Sequence, residues 1–448
     1  MELTKELARR VCELSIDDLP QDVIDYSKSL ALSAFGAMIA GAEYPSGQAM
    51  VRYIEGHQSG DEATILGVWR PASAEMAAMA TATFAHATEY EDDSFPEAVS
   101  SYTLFPVIFA MGEHLKSPGS LALEAFVASY EVQARIGLAV REARRIGTMV
   151  LSAAGGLGCA AAASKMLGLD VEQTTMALSV AASQASGIGY QTGTMAHTLE
   201  MGLSARNGIA AALLAKEGYT GKPDVLEAPR GLLHIMTAGK AEDPQTILDD
   251  WGKPFRLLEA GIKQYPCCYH MQRLIEAGEK VRAEHGIGAD DIEHISVEVN
   301  AFFPTVVQHP EPSNEMEAQF SLPQGMAAAF LEDKILPSSF SRERIAEPAF
   351  KEFRSRVETV VREDWGWVPT GWTPNMVFTL KDGREIVENP VSSKGQPPNL
   401  LPFDAVIEKY ENCLSSMLPR ASIDDSLPML AAFETVPDIS AVVEAVRP

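Results

Sequence analysis

The chain lacks the features that mark several large classes of protein. Its five cysteines form no Cys-x-x-Cys pair and no array with histidine, which argues against a disulfide framework and against zinc or iron–sulfur centres. Lys and Arg number 36 against 61 Asp and Glu, and the net charge of −25 argues against nucleic acid or an anionic membrane as partner. The longest apolar run, residues 30–40, is too short to span a bilayer.

Several catalytic and targeting motifs are also missing. There is no Gly-x-Ser-x-Gly sequence, which argues against a serine hydrolase. The GGLG sequence at residues 155–158 has neither the preceding strand nor the Gly-Lys-Ser/Thr of a phosphate-binding loop. The N-terminus has the pattern of an amphipathic helix with mixed charge and no signal-peptide core, so we predict a cytoplasmic protein with reduced cysteines.

The 448 residues that are present suffice for a large core, and the 46% hydrophobic and 22% charged composition is typical of globular proteins. Up to about residue 260, helical periods follow one another and strand signals are nearly absent. Segments rich in Ala, Gly and Ser, at residues 29–41, 72–88 and 152–169, favour closely packed helices. This part of the chain predicts helix packed on helix.

The pattern changes after residue 265. Residues 294–300 alternate as a strand does, and residues 376–387 predict a hairpin around Asp382-Gly383. Residues 324–332 and 348–362 have helical periods, and helices return after a Pro-rich loop.

We therefore predict a mainly α protein with a large all-α helical domain and a smaller inserted α+β lid domain. The all-α domain covers residues 1–265 and is rejoined by residues 400–448. The lid covers residues 266–399, so that a cleft between the two domains is the natural place for a ligand.

The most informative stretch is GTMAHTLEMGLSARNG at residues 193–208. His197 and Glu200 are three residues apart and share one face of a helix, among small residues that let a ligand or backbone approach closely. Such a pair is more often solvated than catalytic. The apolar flanks, residues 179–190 and 209–215, favour a buried functional site instead.

A second candidate is the acidic sequence HATEYEDDS at residues 86–94. A charge run is usually a solvated face, but like charges packed at a helix end raise the pKa of at least one carboxyl, which produces an acid/base group. Glu89 and Asp93, four residues apart, are predicted to lie on one helical face. The spacing does not match a calcium-binding EF-hand loop.

A third candidate is the segment at residues 261–277, which contains a Pro-Cys-Cys turn and lies near the inferred domain junction. It brings Lys263, Tyr265, His270 and Arg273 together. A lysine here could neutralise a carboxylate or stabilise an enolate. The alternative is a surface lysine beside buried, inert cysteines.

Taken in chain order, these pieces resemble the MmgE/PrpD family over most of the chain. The matching motifs are HATEYEDD, GTMAHTLEMGLSARNGIAAALLAKEGYTGKPDVLEAPRG, KQYPCCYH and AQFSLPQGMAAAF. The family includes 2-methylcitrate dehydratase, cis-aconitate decarboxylase and iminodisuccinate epimerase. The resemblance implies an all-α domain with an α+β lid, a homodimer, and an active site between the domains without metal or organic cofactor. It also implies proton transfer beside a carboxylate of a small acid.

The site residues that the family resemblance implies match this sequence only in part. Lys263 matches the family's lysine before Tyr-Pro, which implies that it holds a substrate carboxylate. Glu89 stands where the family has Asp, and Asp93 where it has Thr. His197 replaces a lysine, and Glu200 replaces a histidine.

Two further family histidines are absent, one of them falling near Met149. The expected catalytic residues are His197, Glu89, Asp93 and Lys263. The expected substrate-binding residues are Glu200, Tyr265, His270, Gln272 and Met149.

These departures predict a lyase or isomerase, acting as a dehydratase, decarboxylase or epimerase, on an acid other than 2-methylcitrate or cis-aconitate and with fewer carboxylates. His197, oriented by Glu200 or Glu89, is the expected acid/base group because histidine exchanges protons near neutrality. Two alternatives stay open. A cyclisation driven by shape and orientation would suit a pocket with apolar walls. A non-catalytic dimer would have a collapsed cleft.

Overall fold

The computed structural model describes residues 2–57, 60–240, 243 and 245–448. In that part the chain is mainly α-helical, as predicted. None of the described helices is long and apolar enough to cross a membrane. The helices of the first 260 residues are α1 (Leu3–Glu13), α2 (Gln21–Ala40), α3 (Pro45–Glu55), α4 (Ala74–Ala87), α5 (Phe105–Leu115), α6 (Gly119–Ala139), α7 (Val150–Met166), α8 (Val171–Ala182), α9 (Met195–Lys216), α10 (Leu232–Met236) and α11 (Gln245–Leu248). Four short strands accompany them: β1 (Ala63–Ile65), β2 (Arg70–Ala72), β3 (Asp92–Asp93) and β4 (Gly261–Ile262).

The remainder of the chain mixes helices with a sheet. Its elements are α12 (Gln272–His285), β5 (Ile292–Asn300), α13 (Glu315–Ala318), α14 (Leu322–Leu331), α15 (Arg342–Ala346), α16 (Pro348–Arg354), β6 (Val357–Arg362), β7 (Asn375–Leu380), β8 (Glu385–Glu388), α17 (Phe403–Leu414), α18 (Arg420–Ala431) and α19 (Ser440–Ala445). The sheet has the order β6-β5-β7-β8, with β5 and β6 parallel and the other pairs antiparallel. The predicted strand at residues 294–300 and the hairpin around Asp382-Gly383 are present.

The predicted helix at residues 348–362 is wrong in its second half. Helix α16 ends at Arg354, and Val357–Arg362 forms strand β6. This segment is rich in β-branched residues, and it pairs in register with β5, with Val297 opposite Thr359. Pairing with a neighbouring strand outweighs the helical period that the sequence also carries.

Two hydrophobic cores divide the described chain. The larger core contains residues from Leu3 to Ile262 and also residues from Val406 to Val446. Helix α17 therefore packs against α2. The smaller core runs from Tyr265 to Leu380 and contains the sheet with α12 and α14. The boundaries proposed above, with a lid inserted at residues 266–399, stay a prediction.

Small residues let α9 lie close to α4 and α7. A Cβ atom on Gly208 would lie 2.3 Å from the Cβ of Cys159 in α7, and a Cβ on Gly202 would lie 2.2 Å from Thr83 Oγ1 in α4. Either contact is far inside van der Waals distance, so glycine is required by the packing. This close approach brings the start of α9, with His197, to the end of α4.

We expect Gly208→Ala to lower the free energy of unfolding by about 1–3 kcal/mol because the methyl group has no room. Gly156→Ala is the matched control, since Gly156 lies inside α7 and a Cβ there meets nothing within 4 Å. It should be neutral or stabilise by about 0.5–1 kcal/mol through the better helix propensity of alanine. Urea unfolding of both variants checks this, and equal stabilities would contradict the packing argument.

Candidate active site

A cavity of about 350 Å³ is lined by residues of both cores. Its volume lies within the range of roughly 300–1,000 Å³ that is usual for small-molecule sites. One end is polar and includes Glu89, Asp93, His197 and Lys263. The rest of the wall is largely apolar. The four residues that the sequence predicts as catalytic therefore face one cavity.

The polar end begins where helix α4 stops. After Ala87 the chain turns, and Glu89 has a φ of +49°, in the left-handed region that residues other than glycine seldom occupy. Strand β3 then pairs with β4, with Asp92 opposite Ile262 and Asp93 opposite Gly261. Glu89 and Asp93 thus do not share a helical face, and that expectation is wrong. The turn and the strand bring both side chains to Lys263 instead.

Lys263 lies at the centre of a buried cluster of charges. Its Nζ donates to Glu91 Oε1 at 2.6 Å and to Glu89 Oε2 at 3.1 Å, and lies 3.5 Å from Asp93 Oδ2. The lysine side chain is only 1% exposed. Although burial alone would lower its pKa, the three carboxylates raise the pKa of Lys263 well above its usual value.

Three carboxylates around one ammonium cannot all be neutralised. Burial, with repulsion from Glu91, raises the pKa of Glu89 to about 7. Burial also raises the pKa of Asp93 well above its usual value, and that of Asp92 to about 6 although Ser101 donates hydrogen bonds to it. Near neutral pH, Glu89 can therefore either give or take a proton, which is the property of an acid/base group.

Two histidines complete the polar end. His197 Nε2 lies 3.7 Å and His86 Nε2 3.6 Å from Glu89 Oε1, and the two imidazole rings are 4.4 Å apart. Burial and the nearby cations lower the pKa of His86 well below its usual value, so this ring is neutral. Among the described residues, Glu89 Oε1 and the Nδ1 atoms of both histidines are buried without a hydrogen-bond partner. Buried polar atoms without partners are rare in folded proteins, and here several of them surround Glu89.

The apolar wall is built mainly from aromatic rings. Phe302 contacts Trp367 with ring centroids 4.9 Å apart, and Phe320 meets the His197 ring edge-on at 5.7 Å. His270 lines the cavity, packed against Phe95 and Phe302, and burial lowers its pKa to about 3, while its predicted role in substrate binding stays a prediction. Met149 is also a lining residue. His270 is therefore a neutral part of this wall.

The structure does not bring the other three predicted substrate-binding residues to the cavity wall. Glu200 lies behind His197, with Oε2 3.5 Å from Nδ1, and its Oε1 accepts a hydrogen bond from the Ile188 amide at 2.7 Å. The Tyr265 hydroxyl donates a hydrogen bond to the Glu279 carboxylate. Gln272 accepts from the Tyr265 amide and donates to the carbonyls of Tyr265 and Cys267. Glu200 therefore contacts His197 from outside the cavity, and Gln272 holds the backbone of Tyr265 and Cys267.

Lys409 is a functional candidate that the sequence analysis missed. It is buried on α17, and its Nζ donates to the carbonyls of Tyr90 and Lys263, the latter at 3.1 Å. Lys409 therefore ties together the two segments that carry the charge cluster. The sequence held a signal, because Val406, Lys409, Tyr410 and Cys413 follow a helical period in which the lysine occupies an apolar position.

His86, Glu89 and His197 could also hold a metal ion, since each offers a ligand atom within 4.8 Å of the others. The Lys263 ammonium competes for the same carboxylate at 3.1 Å. That contact favours an ion-pair cluster over a metal centre. The expectation of a metal-free site stays a prediction.

The sequence matches the models of both domains of one protein family. The MmgE/PrpD N-terminal domain matches residues 5–245, and the MmgE/PrpD C-terminal domain matches residues 265–428. The chain is 24% identical to cis-aconitate decarboxylase of Aspergillus terreus over 475 residues, covering 99% of this chain and 95% of that protein. It is 26% identical to cis-aconitate decarboxylase of Mus musculus (99% and 93% covered) and 27% identical to that of Homo sapiens (98% and 93% covered).

The charge cluster predicts a specific dependence of stability on pH. Because the pKa of Glu89 is raised to about 7 in the folded protein, its neutral form favours folding, and this contribution is lost as pH rises from about 4.5 to about 7. Glu89→Gln keeps the neutral form at all pH values. Its stability relative to the unchanged protein should therefore increase over this window in urea unfolding at pH 5 to 8. A constant difference would contradict the raised pKa.

We expect the purified protein to hold no stoichiometric metal and to keep its activity after dialysis against EDTA, because the Lys263 ammonium already contacts the Glu89 carboxylate that a metal ion would need. Elemental analysis by mass spectrometry before and after dialysis measures this. A metal retained in a one-to-one ratio, and lost in His86→Ala, would overturn the expectation.

Proposed function

Because the chain belongs to the MmgE/PrpD family, we propose that it is a lyase or isomerase that moves a proton beside the carboxylate of a small carboxylic acid. The observation that carries the proposal is the buried Glu89, whose pKa is raised to about 7, in contact range of His197 and Lys263 inside one cavity. Dehydratase or decarboxylase chemistry is the first candidate, since several relatives are named cis-aconitate decarboxylases.

The proposed roles follow from chemistry and position. His197 accepts the proton from the carbon beside the carboxylate, and Glu89, 3.7 Å away, stabilises the imidazolium that forms. Glu200, 3.5 Å behind Nδ1, orients the ring. The Lys263 ammonium stabilises the negative charge that develops on the enolate, because a fixed charge in a buried site acts strongly. Return of the proton from His197 to carbon gives an isomer, and its transfer to a departing β-hydroxyl, which leaves as water, gives a dehydration. In a decarboxylation, carbon dioxide leaves first and the enolate carbon takes its proton from protonated His197.

The raised pKa values support the role of Lys263. If all three carboxylates were ionised, the lysine charge would be overcompensated and an enolate would be repelled. Since the pKa of Asp93 is raised well above its usual value and that of Glu89 to about 7, part of this negative charge is neutralised by protons near pH 7. The cluster can then accept an anionic intermediate.

A cyclisation is the second candidate, and the aromatic wall favours it. A reaction that needs little acid/base chemistry depends on holding an apolar substrate in a reactive shape. Phe95, Phe302, Phe320 and Trp367 would supply that shape. The open cavity speaks against a non-catalytic homologue with a collapsed cleft. The homodimer and the cytoplasmic location stay predictions.

We expect His197→Ala to lower turnover at least ~100-fold if His197 is the acid/base group. The assay incubates the protein with citrate-, aconitate- and aspartate-like acids and with apolar monocarboxylic acids in deuterated water, and follows proton exchange and loss of water or carbon dioxide by NMR. The control is His294→Ala, which removes a half-exposed histidine of strand β5 that contacts Glu358. Near-normal turnover in His197→Ala would rule out the acid/base role, and a ring-closed product formed without exchange would favour cyclisation.

A further inference from the structure

Among the described residues, three Lys and Arg side chains line the cavity, and two of them already have partners. Lys263 faces Glu89, Glu91 and Asp93, as described above. Arg145 pairs with Glu142 at 2.6 Å and donates to the Trp367 carbonyl at 2.9 Å, with its guanidinium 4.9 Å from the Trp367 ring centroid. Lys263 is committed to its three carboxylates, and Arg145, whose side chain is 47% exposed, can satisfy its remaining N–H donors with solvent.

Arg144 is different. Its Nε donates to the Arg141 carbonyl at 3.2 Å and its Nη2 to the Pro96 carbonyl at 2.7 Å. Its Nη1 is buried and, among the described residues, has no hydrogen-bond partner. Burial lowers the pKa of Arg144 to about 10, so the group is still charged at neutral pH. Burying a charged donor without an acceptor costs free energy, and an anionic ligand would supply the acceptor that Arg144 lacks.

The position of Arg144 links this donor to the apolar wall. The guanidinium lies 5.5 Å from the centroid of the Phe95 ring, and both residues line the cavity. Phe302, Trp367 and Val306 continue the same wall. The cavity therefore offers a buried positive charge on an aromatic surface in addition to the charge cluster around Lys263.

We propose that Arg144 binds the carboxylate of a monocarboxylic acid whose apolar body lies on the aromatic wall. The inference rests on the proposed function, because the acid bound at Arg144 is taken to be the substrate of His197, which lines the same cavity. Arginine suits the task, since its planar fork binds a carboxylate through two donors at fixed geometry. Arg144 would turn its Nη1 and one neighbouring donor toward the ligand.

The same inventory of charges disfavours a tricarboxylic acid. Such a ligand would bring three negative charges to a cavity in which, among the described lining residues, Arg144 is the one guanidinium with a buried unused donor, and three protein carboxylates already share Lys263. Like charges in a buried site repel strongly, and desolvated carboxylates without partners are expensive. We therefore expect cis-aconitate to bind far more weakly than an apolar monocarboxylic acid of similar size.

Binding to the full-length protein tests the subsite without any need for turnover. The probes are 3-phenylpropanoate, cyclohexylacetate and indole-3-acetate, each compared with its neutral amide and with cis-aconitate by calorimetry at neutral pH. At least one acid should bind about 10-fold or more tightly than its amide, because hydrogen bonds to a charged group carry that much affinity. Binding of none of the three acids, or tighter binding of cis-aconitate, would overturn the proposal.

Variants locate the charge that is responsible. Arg144→Met should remove the preference for acid over amide, whereas Arg273→Met should keep it. Arg273 is the matched control because burial also lowers its pKa to about 10, while its Nη1 donates to the carbonyls of Trp372 and Val391 outside this cavity. A preference that survives in Arg144→Met would refute the subsite.

Failure of the subsite and failure of the proposed function are distinguishable. His197→Ala should keep the affinity for the acid and lose deuterium exchange, so binding and chemistry are read separately. An acid that depends on Arg144 for binding, but is never exchanged or converted, would support the subsite and count against the proton-transfer function. The comparison of acid with amide on the unchanged protein needs no variant, so the subsite stays testable if Arg144→Met does not fold.

Discussion

The buried cluster of Lys263 with Glu89, Glu91 and Asp93 is the constraint on which the rest of the site depends. Charges removed from water must find partners, and here the partners come from segments more than 160 residues apart in the chain. The β3–β4 pairing fixes the backbones of these segments. Lys409 donates to the Tyr90 and Lys263 carbonyls and so links the two segments. Gln319, in the part of the chain that forms the smaller core, donates to the Thr88 carbonyl. The two cores therefore meet at the acid cluster.

The same cluster explains how carboxylates become acid/base groups without an unusual side chain. One ammonium cannot neutralise three buried carboxylates, so protons must do the rest, and the pKa of Glu89 rises to about 7. A lysine at position 197, as the family resemblance implies, would add a fixed charge beside Glu89. His197 places an imidazole there instead, with Nε2 3.7 Å from Glu89 Oε1.

Local patterns in the sequence predicted the elements, and long-range contacts decided what those elements do. The spacing of His197 and Glu200 placed both on one face of α9, and the Asp382-Gly383 turn located the hairpin. The strand Val357–Arg362 was missed because its partner β5 lies some 60 residues away along the chain. Glu89 adopts a left-handed φ that no helical pattern suggests, and the roles of Lys409 and Arg144 depend on carbonyls and rings from distant segments. Periodicity cannot report such contacts.

The two ends of the cavity are subject to different constraints, and this difference bears on how the fold changes function. The acid cluster is tied into the backbone of both cores, so altering it disturbs the fold. The aromatic wall with Arg144 depends mainly on side chains, which can be exchanged at smaller cost as long as their volume is kept. The aromatic wall can therefore change in sequence while the acid cluster is held in place. A chain can then keep the signature motifs of its family along most of its length and still bind an acid of different size and charge.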